Sequence, residues 1–323
     1  MAQNTPTEPL VDPLDPWQPA EESTIDAEEE SEVAATPLVD GGAVVGIDGS
    51  SGSLRALRWA INRAERFGPI QPISVWQYPW WAHAAPIPPP VDRFREVAAH
   101  DIQDALSSVP SGSHLPPITC RGNAGRTLVD IGRTAELIVV GTRGRSGLKD
   151  TLLGSVSNSV VSHATVPVAI IPTGAPTEDV HGRVVVGVDG SPTSVDALAW
   201  AIEYTPTESI IEAVIAWTYP TTAIPGPAMV SRGHFESQAH RILDDAVHAA
   251  VAATGIEHPN ILKRADYGDA RAVLRDRADE ADLLVVGARG RGGLSHLLLG
   301  SVASALVHQP RVPTVVLPSP TEQ

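Results

Sequence analysis

The chain has 323 residues, 42% of them hydrophobic, a single cysteine and a formal net charge of −15. That length holds two domains of ordinary size, one cysteine excludes an internal disulfide framework, and no apolar run reaches membrane-spanning length. The charge argues against a nucleic-acid partner, but it is concentrated: residues 1–40 hold eleven Asp and Glu and no Lys or Arg, so −11 lies there and the rest is near −4.

Residues 1–40 contain proline and the acidic run Asp26 to Glu32. They cannot bury enough apolar surface to offset the entropy of ordering, so a disordered tail is expected. No basic stretch precedes an apolar core at the start, so a cytoplasmic location is expected rather than secretion. The tail's plain role is solubility. Its sharper role is a docking arm for a regulatory protein partner, with Thr24 beside the acidic run as a phosphorylation site.

Val44–Ile47 is a β-branched run and reads as a first strand. Ser50 or Ser51 can cap a helix whose Leu54, Leu57, Ile61 and Ala64 form one apolar face. A second strand lies near Ile73–Trp76, followed by a proline-rich segment, Pro79–Pro90, too long for a turn and therefore a candidate lid. A helix over Val91–Ser107, a strand near Ile118–Arg121, a helix over Thr127–Thr134 and the apolar strand Leu137–Val140 come next. Val168–Ile171 is a fifth strand.

The whole series then repeats. Asp189 stands 141 positions after Asp48, and Trp59/Trp200, Trp76/Trp217, Tyr78/Tyr219 and Pro79/Pro220 keep that interval. The second copy has strands near Ile211–Trp217, Ile261–Ala265, Leu283–Val286 and Val315–Leu317. Its helices cover Val195 to Ile202, Phe235–Thr254 and Ala270–Arg277, and Pro220–Pro227 is its candidate lid. Continuous apolar strands alternating with helices give an α/β fold: two tandem doubly wound domains, each a parallel sheet covered on both faces. The expected boundaries are an acidic tail 1–40, a first domain 41–173, a linker 174–181, a second domain 182–318 and a short tail 319–323.

Each fourth strand runs into a glycine motif. Gly141-Thr142-Arg143-Gly144 is followed after nine residues by Gly154-Ser155, and Gly287-Ala288-Arg289-Gly290 after nine by Gly300-Ser301. Glycine lets backbone N–H groups approach a ligand, and a helix N-terminus adds unpaired donors and partial positive charge. Two copies with the same spacing point to nucleotide phosphate. Arg143, Arg145, Arg289 and Arg291 lie in these loops, either to neutralise phosphate charge or as solvated loop residues. Ligands in such sheets sit beyond the C-terminal strand ends, which gathers Asp48, the end of the second strand and the glycine loop.

Gly-x-x-Gly-x9-Gly-Ser after an apolar strand, paired with Asp in Val-Gly-x-Asp-Gly-Ser, resembles the universal stress protein family over residues 41–173 and 182–318. The resemblance implies an adenine nucleotide alpha hydrolase-like fold with five parallel strands per domain, and the ATP-binding subclass, with or without Mg2+. It implies that Asp48 meets the adenosine end and the backbone at Val75 the adenine. Gly141, Gly144, Gly154, Ser155 and Val156 would surround the phosphates, with Ser157 adding a hydroxyl. The second-copy matches are Asp189, Ala216, Gly287, Gly290, Gly300, Ser301 and Val302, with Ala303 in place of Ser157. It also implies that the two fifth strands meet, making the chain an intrachain pseudo-dimer able to pair further as a homodimer.

Nothing in the sequence supplies a duplicated catalytic group. There is no Gly-x4-Gly-Lys-Ser/Thr motif and no zinc-type Cys/His spacing. His163 and His308 are not equivalent positions, so both read as structural, as do Trp59 and Trp200 on the first helices and Cys120 on a strand. The reading is a non-enzymatic ATP-binding protein that biases a partner or an assembly. A slow ATPase or phosphotransferase, and a nucleotide-free interaction module, are the alternatives.

Overall fold

A computed structural model describes residues 41–79, 88–110, 112–144, 153–175, 182–219, 231–292 and 298–319. The acidic tail, most of both proline-rich segments and the tips of the glycine loops therefore lie outside the described residues.

The first domain runs β1 (Ala43–Gly46), α1 (Ser51–Ile61), α2 (Ala64–Phe67), β2 (Ile70–Trp76), α3 (Val91–Ser107), β3 (Ile118–Arg121), α4 (Ala124–Ile131), β4 (Leu137–Gly141), α5 (Ser155–His163) and β5 (Val168–Ile171). The second repeats it as β6 (Arg183–Gly187), α6 (Pro192–Tyr204), β7 (Ile210–Trp217), α7 (Arg232–Thr254), β8 (Ile261–Tyr267), α8 (Ala270–Ala278), β9 (Leu283–Gly287), α9 (Ser301–His308) and β10 (Thr314–Leu317). β2 starts earlier than the apolar run suggested, passing through Pro72. Its ladder with β3 begins at Ile73, so the missing N–H of Pro72 removes no bond on that side. The expected helix Thr127–Thr134 starts at Ala124 because Asn123 caps it, its side chain accepting from Arg126 N at 3.1 Å.

All strands join one ten-stranded sheet in the order β3-β2-β1-β4-β5-β10-β9-β6-β7-β8. Every pairing within a domain is parallel. The domains join where β5 and β10 pair antiparallel, with Val315 opposite Ala169. Both fifth strands are buried throughout, so each covers the other's open edge. The antiparallel seam also points the strand C-termini of the two halves in opposite directions. The two glycine motifs therefore lie at opposite edges of the sheet.

A second seam is aromatic. Phe67 stacks on Trp59 at 5.9 Å, on Trp200 at 6.0 Å and on Tyr204 at 5.5 Å, joining the first helices of the two domains. The Tyr204 hydroxyl donates to Glu136 Oε2 of the other domain at 2.9 Å. On this face one core cluster extends without interruption from Ala43 to Leu317. Trp59 and Trp200 are core residues, 1% and 6% exposed.

Candidate functional site

At the end of β1 the chain turns through Asp48-Gly49-Ser50. Gly49 has φ +76°, a value that favours glycine, and the turn lets Ser50 Oγ cap α1 by accepting from Ser53 N at 3.1 Å. The same hydroxyl donates to Asp48 Oδ1 at 2.6 Å, and Ser50 N donates to it at 3.0 Å. The carboxylate is thus held at the strand end with Oδ2 directed toward the glycine loop. The second domain repeats the turn around Gly190, φ +77°, with Ser191 bonded to Asp189 Oδ1. There Arg291 N also donates to Asp189 Oδ2 at 2.7 Å.

Each glycine loop is pinned at its base. Gly154 N donates to the Thr142 carbonyl and Gly300 N to the Ala288 carbonyl, both at 2.7 Å. The three glycines of the motif have different tasks. A Cβ on Gly141 would lie 2.6 Å from the Gly52 carbonyl carbon, so this glycine lets α1 pack on the strand end; Gly287 does the same against Thr193. A Cβ on Gly144 would strike Asp48 Oδ2, and one on Gly290 would strike Asp189 Oδ2. Gly154 differs: φ −69° and ψ 157° suit any residue, and a Cβ there would make only ordinary contacts, the nearest the Thr142 oxygen at 3.4 Å. Among the described residues nothing requires glycine at 154. Its counterpart Gly300 is somewhat tighter, at 3.2 Å from the Ala288 oxygen.

Gly154 is also the N-cap of α5, and no side chain caps that helix; Gly300 holds the same position on α9. The first intrahelical bond of α5 is Asn158 N to Gly154 O, which leaves the N–H groups of Ser155, Val156 and Ser157 in the first turn without an intrahelical partner. The Ser157 hydroxyl donates to the Gly141 carbonyl at 2.6 Å, which tethers the helix to the strand.

A cavity of about 260 Å3 joins these parts in the first domain. Asp48, Val75, Gly141, Gly144, Gly154, Ser155, Val156 and Ser157 all line it, so every first-domain residue expected at the site is brought together. Sequence reasoning missed the α4 wall, Ala124 and Leu128, although the Asn123 cap at the strand-end edge was a readable signal. Arg143 lines the cavity, whereas Arg145 lies outside the described residues. In the second domain Asp189, Gly287, Gly290, Gly300, Ser301 and Val302 occupy the matching strand and helix ends. Ala216 sits one residue before the end of β7, and Ala303 is buried in α9.

The remaining candidates are structural. A carbonyl can only accept, so His163 Nδ1 donates to Ser159 O at 2.8 Å and His308 Nδ1 to Ser304 O at 2.7 Å, each closing the last turn of its helix. Burial pushes the Cys120 thiol up to about 11, which keeps it protonated and unreactive. Among the described residues no group of three His, Cys, Asp or Glu could hold a metal, and no helix is long and apolar enough to cross a membrane.

Two fused α/β domains, each with a glycine loop and an uncapped helix at the end of its fourth strand, define the class. The chain belongs to the universal stress protein family, which matches residues 43–172 and 181–318, and this places it among proteins of the stress response. A universal stress protein of Mycobacterium bovis is 32% identical over 296 residues, covering 87% of this chain and 98% of the relative. One from Mycobacterium tuberculosis is 34% identical over 298 residues, covering 85% and 95%. The crystal structure of a universal stress protein from Archaeoglobus fulgidus matches with a TM-score of 0.59 at 19% identity, over 85% of this chain and 97% of that one, a likeness of fold.

Proposed function

We propose that this chain binds ATP at the end of each half-sheet and acts as a nucleotide-dependent regulator in the stress response, without strong catalysis. The observation that carries the reading is Gly154, the motif glycine for which the described residues show the least steric or conformational need, facing a cavity beside an uncapped helix start. A phosphate seated there would take the N–H groups of Ser155, Val156 and Ser157 and the positive end of α5. Asp48 would accept from the ribose, and the backbone at Val75 would face the adenine. A Mg2+ ion would arrive with the phosphates, which supply most of its oxygen ligands. The equivalent second site runs from Asp189 and Ala216 to Gly287, Gly290, Gly300, Ser301 and Val302. Because the sites lie at opposite edges, each takes its own nucleotide. The acidic residues 1–40 are proposed as the arm that meets a regulatory protein.

The test is the adenine-nucleotide content of freshly purified protein, read by chromatography after denaturation, beside Gly154→Ala and the double variant with Gly300→Ala. We expect ATP in the wild type, lost from the first site in Gly154→Ala at unchanged melting temperature. Mostly ADP would favour the slow ATPase. Protein that neither carries nucleotide nor takes it up on titration would be an interaction module, and the proposal would fall.

A further inference from the structure

A second cavity, of about 330 Å3, opens in the first domain between the end of β2 and α3. Ser74, Trp76, Arg93, Phe94, Val97 and Asp101 line it, and it meets the first cavity only through Asp48 and Val75, which line both. Strand alternation makes the division. Ile73 and Val75 point to the face covered by α4 and α5, whereas Ser74 and Trp76 point to the face covered by α3.

Ser74 is 2% exposed and lines the cavity. The duplication supplies a control: the second domain has Ile215 at the Ser74 position and Ile242 at the Asp101 position. Ile242 Cγ2 lies over Gly190, where in the first domain the Asp101 carboxylate lies over Gly49. The second domain thus puts two isoleucines where the first keeps a hydroxyl and a carboxylate beside two aromatic rings.

Two carboxylates, Asp48 and Asp101, line it together with one guanidinium, Arg93, on an exposed residue at the rim. Carboxylates next to aromatic faces select a cation with an apolar body. We propose that this cavity binds a small primary amine with an apolar or aromatic body. Its ammonium is held by the Asp101 carboxylate and the Ser74 hydroxyl oxygen, and its apolar part lies against Trp76, Phe94 and Val97. Arg93 gives two sources for this chemistry: a plain amine, or an α-amino acid whose carboxylate reaches the guanidinium.

The experiment is calorimetric titration of the full chain, dialysed free of nucleotide, with phenethylamine, phenylalanine and phenylacetate. Phenethylamine binds and phenylacetate does not; tighter binding of phenylalanine identifies the amino acid, and weaker binding the plain amine. Asp101→Asn, which keeps the shape and removes the charge, weakens binding about tenfold or more. Ser74→Ile, the second domain's residue, abolishes it at an unchanged melting temperature; if that variant does not fold, Asp101→Asn alone decides. No heat from either amine at about 10 mM overturns the proposal. So does equal binding of phenylacetate, or affinity unchanged in the folded variants.

Discussion

The two domains share a fold and differ in what they bury. At one position in the second strand of each, the first domain has Gln71, 4% exposed, whose amide donates to the Pro116 carbonyl. The second has Glu212, 0% exposed, with Arg277 at 3.1 Å and Arg183 and Arg264 at 3.4 Å. The three arginines occupy the places of Ile131, Gly42 and Ile118 in the first domain. One backbone position therefore supports either a neutral hydrogen bond or a charge, provided the partners change together. A buried carboxylate is tolerated here because two neighbouring strands and a helix bring cations to it.

Exchanging these residues should break the comparison most severely. Gln71→Glu would bury a carboxylate among an isoleucine pair and a glycine, at a cost of about 3–5 kcal/mol at pH 7. The sign with pH is fixed: an unpaired buried acid has a folded pKa above its unfolded one, so the penalty is absent at low pH and grows as pH rises. Denaturant unfolding at pH 4 and pH 7 should show the gap widening. The reverse change, Glu212→Gln, should cost less, because Arg183, Arg264 and Arg277 are about a third to a half exposed and can hydrate. Equal losses in both variants would contradict this account.

The aromatic seam is asymmetric in the same way. Phe67 has Glu208 as its counterpart, and Arg63, with its guanidinium 4.5 Å from the Trp59 ring centre, stands where the second domain has Tyr204. Removing the Phe67 ring would separate both tryptophans and cost about 3 kcal/mol. Truncating the exposed Glu208 should change stability by less than about 0.5 kcal/mol. With one core running through both domains, wild type and Phe67→Ala should each unfold in a single calorimetric transition. Two separated transitions in the wild type would show that the domains are stabilised independently.

Much of this was legible in the sequence, for physical reasons. Apolar runs of four or five residues and two helix-capping serines fix the strands and first helices, and an interval of 141 residues exposes the duplication. The candidate site was legible because Asp48 and the glycine loop both sit at strand ends, where parallel sheets present their residues. The tasks of the glycines were not. Gly141 and Gly144 read like phosphate glycines, yet they are set by a helix and a carboxylate that approach from elsewhere in the chain. Glu212 gave no signal because its three partners come from two other strands and a helix, and only the register joins them. The meeting of the fifth strands came from family resemblance; an exposed-edge argument alone would not have chosen the partner.

A smaller test concerns Ser157 and Ala303. Ser157→Ala removes the bond to the Gly141 carbonyl and should lower stability by about 1 kcal/mol, with little change in nucleotide affinity, because the hydroxyl proton is already committed. A large affinity loss at constant stability would return Ser157 to the phosphate contacts.

The smallest expected effect lies at Asp189. Burial pushes its pKa up, but donors from the Ser191 hydroxyl and backbone, Arg291 N and the Ser194 hydroxyl outweigh that and hold it below the ordinary value. A depressed folded pKa means that the contribution is complete above the unfolded value of about 3.9 and is lost as pH falls through the folded one. Asp189→Asn keeps an acceptor for Ser191 and removes the charge, at a cost of a few tenths to about 1 kcal/mol at pH 7. The stability gap between wild type and variant should therefore close below about pH 4, while a gap that held constant to pH 3 would mean shape, not charge, fixes the turn. Oδ2 of Asp189 already accepts from Arg291 N, so a ribose at the proposed second site would share an occupied oxygen, and Asp189→Asn should weaken nucleotide uptake there, read by titration, without abolishing it.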